Sequence, residues 1–403
     1  MPRRGDPHPG SGVGHEAAVT TVLEAVEGML PGIGERTAQA DAERRLPDAT
    51  VKEIANSGVM RLLQPKAFGG YEASPVAFYE AVLAIAERCG STAWVTGVVG
   101  VHNWQLGLYD EKLQQEIWGE NQDTWTSSSY MPGGKLTRVP GGFELTGRWS
   151  FSSGSDHCQW AILGALEMQE DGPPTTYNVV VPRTDYVVED VWHTVGLRGT
   201  GSNDIVIDGA FVPDYRALTK TQVYTNDAPG RALNTSPLFG MPFTTLFPSA
   251  ITSPVIGMAK GLIDLALEYQ GTRVSRAHGK MLDADPYSVA ALGGAASIVD
   301  ACRRQLLGNI GDIYETLMAG GTPTTDQRST ARRDQVLGTV RCVAAIDDIY
   351  DRQGAAVIRE DHPMARFWRD AHTAKHHTIN TNERTLHSWA HNAMGLGPSE
   401  SIV

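Results

Sequence analysis

Three stretches of this 403-residue chain carry side chains with the means to do chemistry. The first is Gly147-Arg148-Trp149-Ser150-Phe151-Ser152-Ser153-Gly154, where two aromatics are interleaved with hydroxyls. Aromatic faces wall a flat heterocycle, and a hydroxyl both donates to and accepts from a ring nitrogen. A strand with inward aromatics and outward serines is the plainer reading of the same run. The second is Gly196-Leu197-Arg198-Gly199-Thr200-Gly201-Ser202-Asn203, a glycine-rich loop that runs into Ile205-Val206-Ile207 and by itself describes only a tight β connection. The third, from Phe367 to His377, holds three imidazoles. His372 and His376 lie four apart on one helical face, a spacing that suits a metal, yet a site needs three or four ligands and no matching pair stands elsewhere. No metal is therefore assigned. His102 is a lone imidazole closing the apolar stretch that begins at Trp94, a pattern whose ordinary meaning is a satisfied core histidine.

Familiar signatures are missing. No Gly-x-Gly-x-x-Gly opens a helix after a strand, and there is no phosphate-binding Walker loop, His-Glu-x-x-His or Gly-x-Ser-x-Gly. With 34 Lys+Arg against 46 Asp+Glu the formal charge is −12, and basic residues come only in short pairs, which argues against nucleic acid. The apolar stretch at residues 93–101 falls short of the ~20 residues that cross a bilayer, so no membrane partner is expected. Cys89, Cys158, Cys302 and Cys342 form no Cys-x-x-Cys pair and read as reduced, buried thiols. The first residues are polar and Pro/Gly-rich without an apolar stretch, unlike a secretory signal, and the expected location is the cytoplasm.

The elements that must position these stretches fall into three textures. After a disordered tail at residues 1–15, residues 16–120 are patterned as helices. Ser74 is a cap with Pro75 at the first helical position, and Asp110 is another cap. Residues 121–235 alternate with period two around turns such as Pro140-Gly141-Gly142, which predicts a small antiparallel barrel or sandwich. Residues 236–403 return to helices, two of them on the order of 40 Å or longer, as in a bundle. The fold class is mainly α with a central β domain.

In this order, and through Gly196 to Pro213 and Trp368-Arg369-Asp370-Ala371, the chain resembles the acyl-CoA dehydrogenase superfamily from about residue 16 onward. The run Trp149 to Trp160 looks like that of the oxygenase components of two-component flavin monooxygenases, which hydroxylate para-hydroxyphenylacetate, secosteroid phenols, indoles or polycyclic aromatics. The resemblance implies amino-terminal helices, a β-barrel or sandwich, a carboxyl-terminal four-helix bundle, and a homotetramer or dimer. It implies reduced flavin (FADH2 or FMNH2) and O2, a small aromatic substrate oxygenated through an adduct at flavin C4a, and a separate NAD(P)H:flavin reductase. Carried over by position, Trp125, Ser128, Phe151, Ser152 and Ser153 would hold the flavin ring, Ser153 at N5, and Arg273 its phosphates. His377 would stand near C4a and His102 would face the substrate's phenolic O–H or ring N–H. From residue type alone, Trp94, Trp104, Phe239, Met241, Phe243 and Phe247 either line an apolar cavity for a bulky aromatic or form ordinary core. An acyl-CoA dehydrogenase is the rival, but Thr381-Asn382-Glu383-Arg384 stands where that enzyme has Tyr-Glu-Gly. An amino-sugar N-oxygenase shares the scaffold.

Overall fold

The computed structural model describes residues 11–272 and 285–399. Five helices come first: α1 (Ser11–Glu43), α2 (Asp48–Ser57), α3 (Pro75–Ala86), α4 (Gly90–Leu106) and α5 (Glu111–Trp118). Helix α1 already includes residues 11–15, which sequence texture assigned to the tail. The anticipated caps are in place, since Ser74 accepts the Val76 N–H and Asp110 that of Lys112. Helix α4 is buried along its whole length, its polar residues Ser91, Thr92, Thr96, His102, Asn103 and Gln105 included.

Seven strands follow: β1 (Thr126–Val139), β2 (Gly142–Ser152), β3 (Trp160–Glu167), β4 (Thr175–Pro182), β5 (Val187–Glu189), β6 (Asn203–Pro213) and β7 (Ala217–Thr219). They form one sheet in the order β5-β6-β2-β1-β3-β4-β7. The Pro140-Gly141-Gly142 turn does join an antiparallel pair, β1 with β2. However, β1 and β3 run parallel, so the sheet is mixed rather than antiparallel throughout. A hairpin turn is local and legible, whereas the return of β3 alongside β1 is decided by tertiary packing. Alternation along β3 and β4 splits their side chains between two cores. Ala161, Leu163, Val179 and Val181 join Trp149 and Phe143 on one face. Ile162 and Val180 face the helices and join the main core.

After α6 (Lys220–Thr225) the bundle comprises α7 (Phe243–Thr272), α8 (Pro286–Met318), α9 (Thr325–Asp351), α10 (Pro363–Lys375) and α11 (Asn382–Ala393). At 1.5 Å per residue the 33 residues of α8 span about 50 Å. Within α7, Phe243–Gly271 is long and apolar enough to cross a membrane by length and composition, but its apolar window is 78% buried within the protein. It is the central core helix, packed by α3, α4, α8, α9 and α10.

The two stretches that carry the family resemblance meet. Gly196 lies so close to α10 that a Cβ there would stand 2.2 Å from the Arg369 carbonyl oxygen. One residue on, the Leu197 N–H donates to the Asp370 carboxylate at 2.6 Å, with Leu197 itself in the left-handed region at φ 50°. Asp370 is fully enclosed, and burial pushes its pKa up to about 7.

Candidate active site

One stripe of α4 sets the geometry. Trp94, Val98, His102 and Gln105 are spaced four, four and three residues apart and so share a face. His102 lies about 12 Å along the helix from Trp94.

At the Trp94 end stands the close of β2. Phe151 takes the left-handed conformation, φ 68°, at an irregularity in the ladder between Trp149 and Ser152. For a non-glycine residue this is uncommon. It turns the ring outward, 68% exposed and edge-on to Trp192 at 5.9 Å. Ser152 points inward, its Oγ buried without a protein partner. Ser153 Oγ accepts from Trp94 Nε1 at 3.1 Å and meets Ser202 Oγ at 2.8 Å.

At the other end His102, 1% exposed, places Nδ1 2.6 Å from the Thr126 carbonyl oxygen. A carbonyl only accepts, so Nδ1 carries the proton and Nε2 presents a lone pair. That Nε2 is buried and has no protein partner. Burial pushes the pKa of His102 down to about 4, which keeps the ring neutral. His377 has the complementary tautomer. Its Nδ1 accepts the Ile379 N–H at 3.2 Å, leaving the proton on Nε2, and burial followed by the nearby Arg332 pushes its pKa to about 4. Arg332 also donates to the Ile379 carbonyl at 2.8 Å, so the cation that adds to the effect of burial on His377 pins its turn as well.

Phe247 joins the two histidines, its ring centroid 6.4 Å from each. Trp94 lies 5.9 Å from His377. Around Phe247 gather Phe243, parallel at 5.2 Å, and Tyr130, edge-on at 4.9 Å, while Tyr224 stacks on Phe243. The Tyr130 hydroxyl donates to Gln105 Oε1 at 2.5 Å. Gln105 Nε2 and Thr126 Oγ1 are buried without protein partners. Residues 126, 128 and 130 share one face of β1, which places the half-buried Ser128 beside Tyr130.

The structure thus links His102 to His377 through Phe247 and His377 to Ser153 through Trp94, with Ser128 beside Tyr130, Ser152 next to Ser153 in the chain, and Phe151 exposed. Trp125 sits in the main core one residue before β1. Trp104, Phe239 and Met241 are wholly enclosed, and Trp104 Nε1 is spent on the Leu238 carbonyl. Trp94 and Phe247 make ring contacts with the histidines, and Phe243 stacks on Phe247. Arg273 lies outside the described residues. His372 Nε2 contacts Asp347 at 2.7 Å while His376 is exposed, so the i, i+4 pair does not converge. Among the described residues no group of three or more metal-ligating side chains assembles. Cavities of about 520 and 240 Å³ open around Arg88, and neither is lined by His102 or His377. The chemistry is better located by the unpartnered buried polar atoms, each of which costs stability unless a ligand or water meets it.

Sequence reading passes over Gln105, Tyr130 and Arg332, and takes Thr200 and Ser202 only as parts of a tight β connection. Gln105 was within reach, three residues after His102 on one helical face. Arg332 carries no local signal of a site: it meets Gln335 one turn on in α9, but its contacts with Ile379 and His377 span more than forty residues of chain.

The residues fit a flavin and an aromatic substrate. A hydroxyl row ends at Ser153, unsatisfied polar atoms lie within an aromatic enclosure, and two imidazoles offer opposite hydrogen-bonding roles. Comparison with known proteins agrees. Residues 249–382 match the model of the acyl-CoA dehydrogenase C-terminal domain. The chain is 41% identical to the flavin-dependent monooxygenase oxygenase subunit HsaA of Rhodococcus jostii, over 94% of this chain and 100% of that one. It is 31% identical to the FADH(2)-dependent resorcinol hydroxylase, oxygenase component, of Rhizobium sp., over 84% and 85% of the two chains. The solved structure of XiaF from Streptomyces sp. with FADH2 and glycerol superposes with TM-score 0.87 at 27% identity, covering 96% of this chain and 98% of that one.

Proposed function

Given that the chain belongs to the flavin-dependent monooxygenase oxygenase components built on the acyl-CoA dehydrogenase scaffold, we propose that it hydroxylates a phenol, with His102 as base and His377 as proton donor. It is a monooxygenase that uses reduced flavin and O2, and a separate reductase supplies the flavin. When bound, reduced flavin supplies the two electrons with which dioxygen is activated, one oxygen atom going to the ring and the other to water.

The carrying observation is the Nε2 lone pair of His102, buried and unpartnered, held in that tautomer by the Thr126 carbonyl. A phenolic O–H is the donor it lacks. With His102 near 4 and a phenol near ~10, full transfer in the resting complex is uphill by about 8 kcal/mol at 1.36 kcal/mol per pKa unit. His102 therefore accepts a hydrogen bond at rest. It takes the proton only as the ring carbon is attacked and the phenol turns strongly acidic, which is general-base catalysis. His377, protonated on Nε2 and kept neutral, donates to the oxygen being activated. The aromatic enclosure keeps water away from His102, while His377 is half-buried at its edge.

Ser153, Ser152, Ser128 and Phe151 hold the flavin ring in this reading. The dehydrogenase alternative needs a carboxylate base, and Glu383, the one carboxylate in the corresponding stretch, is exposed on α11. A homotetramer belongs to the same proposal and is supported by the exposed apolar residues Phe151, Met131 and Val195 of the β domain. A cytoplasmic location is supported by four free, buried cysteines.

The test supplies enzymatically reduced FAD and O2 with simple phenols, indole or an acyl-CoA, and weighs the products. Phenols gaining one oxygen atom support the proposal. Oxygenation of indole alone, or oxidation of the thioester, overturns it.

A further inference from the structure

The Gly196 loop does more than dock on α10. Its hydroxyls join Ser153 in a buried row: Thr200 Oγ1 lies 2.7 Å from Ser202 Oγ, and Ser202 Oγ lies 2.8 Å from Ser153 Oγ. All three residues are at most 9% exposed. At the inner end Thr200 Oγ1 donates to the Leu197 carbonyl at 2.8 Å. Each hydroxyl has one proton and the carbonyl has none. Once the Thr200 proton is committed to Leu197, Ser202 must donate to Thr200 and Ser153 to Ser202. Ser153 also accepts from Trp94, so what it turns toward the site is its remaining lone pair. The reverse polarity points the Ser153 proton outward but gives up the Thr200–Leu197 hydrogen bond. The Leu197 carbonyl would still hold the Trp192 indole N–H at 2.8 Å and the Thr200 amide at 3.2 Å. The inward row is thus favoured by one hydrogen bond.

We propose that Thr200 and Ser202 set the redox-state preference of the flavin site, by presenting Ser153 as an acceptor that matches the N5–H of reduced flavin and not the bare N5 of oxidised flavin. The proposal rests on the placement of Ser153 at N5. An oxygenase that draws reduced flavin from solution and must shed the oxidised form gains by such a filter. The glycine-rich loop then has two roles, fixing α10 through Leu197 and orienting a proton row through Thr200 and Ser202.

The experiment is anaerobic titration of the full chain, freed of flavin, with reduced FAD and separately with oxidised FAD, read by calorimetry. The parent protein binds the reduced form more tightly. Thr200→Val keeps the shape but removes the inner hydroxyl, so the Ser202 proton has only Ser153 to meet and Ser153 turns its own proton outward. The ratio of the two dissociation constants then narrows by roughly tenfold, the scale of one hydrogen bond to a buried partner. Ser202→Ala, which cuts the row, narrows it too, whereas Thr200→Ser preserves it. An unchanged ratio in folded Thr200→Val and Ser202→Ala overturns the proposal. Ser153→Ala separates the two layers. If it binds both forms as the parent does, the N5 placement fails and the proposal with it. If it abolishes the preference while the Thr200 and Ser202 variants keep it, the placement stands and the row alone is rejected.

Discussion

At the scale of single residues, the two histidines illustrate how one side chain acquires opposite hydrogen-bonding faces from its partner. The Thr126 carbonyl leaves His102 Nε2 an acceptor, and the Ile379 amide leaves His377 Nε2 a donor. His102→Ala should lower phenol turnover by roughly 10²- to 10⁴-fold, the usual worth of a positioned base, with binding of reduced flavin unchanged. Because burial holds His102 near 4, the acid limb of kcat/KM should fall near pH 4 rather than near ~6.5, provided the fold persists there. His377→Ala should divert reducing equivalents to hydrogen peroxide, measured as peroxide formed per NADH consumed in the coupled assay; unchanged coupling removes His377 from the proposed role. The same burial has a stability sign. Between about pH 6.5 and 4 the unfolded chain protonates His102 and the folded chain does not, so stability falls as pH drops through that window. From pH 7 to 5 the loss is about 2 kcal/mol for this one enclosed ring. His102→Gln should therefore lose about 2 kcal/mol less than the parent over that interval in urea unfolding, and equal losses would contradict the burial argument.

At the scale of elements, α4 and the Gly196 loop carry the site. Helix α4 carries Trp94, beside Ser153, and His102 along one stripe, so their separation is set by helical rise rather than by loop conformation. The loop is held by Asp370, a carboxyl whose folded pKa, about 7, lies above its unfolded value near ~3.9. For a raised acid the stability is present below the unfolded pKa and lost as pH climbs through the folded one. Asp370→Asn retains an oxygen for the Leu197 N–H but cannot ionise. Relative to the parent it should gain about 3 kcal/mol between pH 5 and 8. A variant whose unfolding free energy parallels the parent across that range would show that Asp370 is ionised in the folded protein. The capped starts of α3 and α5 and the β1–β2 turn were readable beforehand, because caps and hairpins are written in adjacent residues. The parallel pairing of β1 with β3 was not, since it joins segments that adjoin only after β2 has folded back.

At the scale of the whole molecule, the assembly is the open prediction. Sedimentation equilibrium should give four protomers, with large apolar side chains such as Phe151 and Val195 covered in the complex; a stable monomer would leave that exposed surface unexplained. What the amino-acid sequence showed by itself was the succession of textures, the helix caps and the β1–β2 turn. Those follow from residue type, local period and spacing, which act over one or two turns of chain. His102, His377 and Ser153 entered as candidates only through the family motifs. Tertiary structure decided which histidine nitrogen bears the proton, which aromatics make ring contacts with the histidines, and that a buried Arg332 lies beside His377. It also joined Thr200 and Ser202 to Ser153. Each of those depends on atoms brought within hydrogen-bond or ring-contact distance from strands and helices far apart in the chain, and burial there alters proton affinity in a way no spacing along the sequence records.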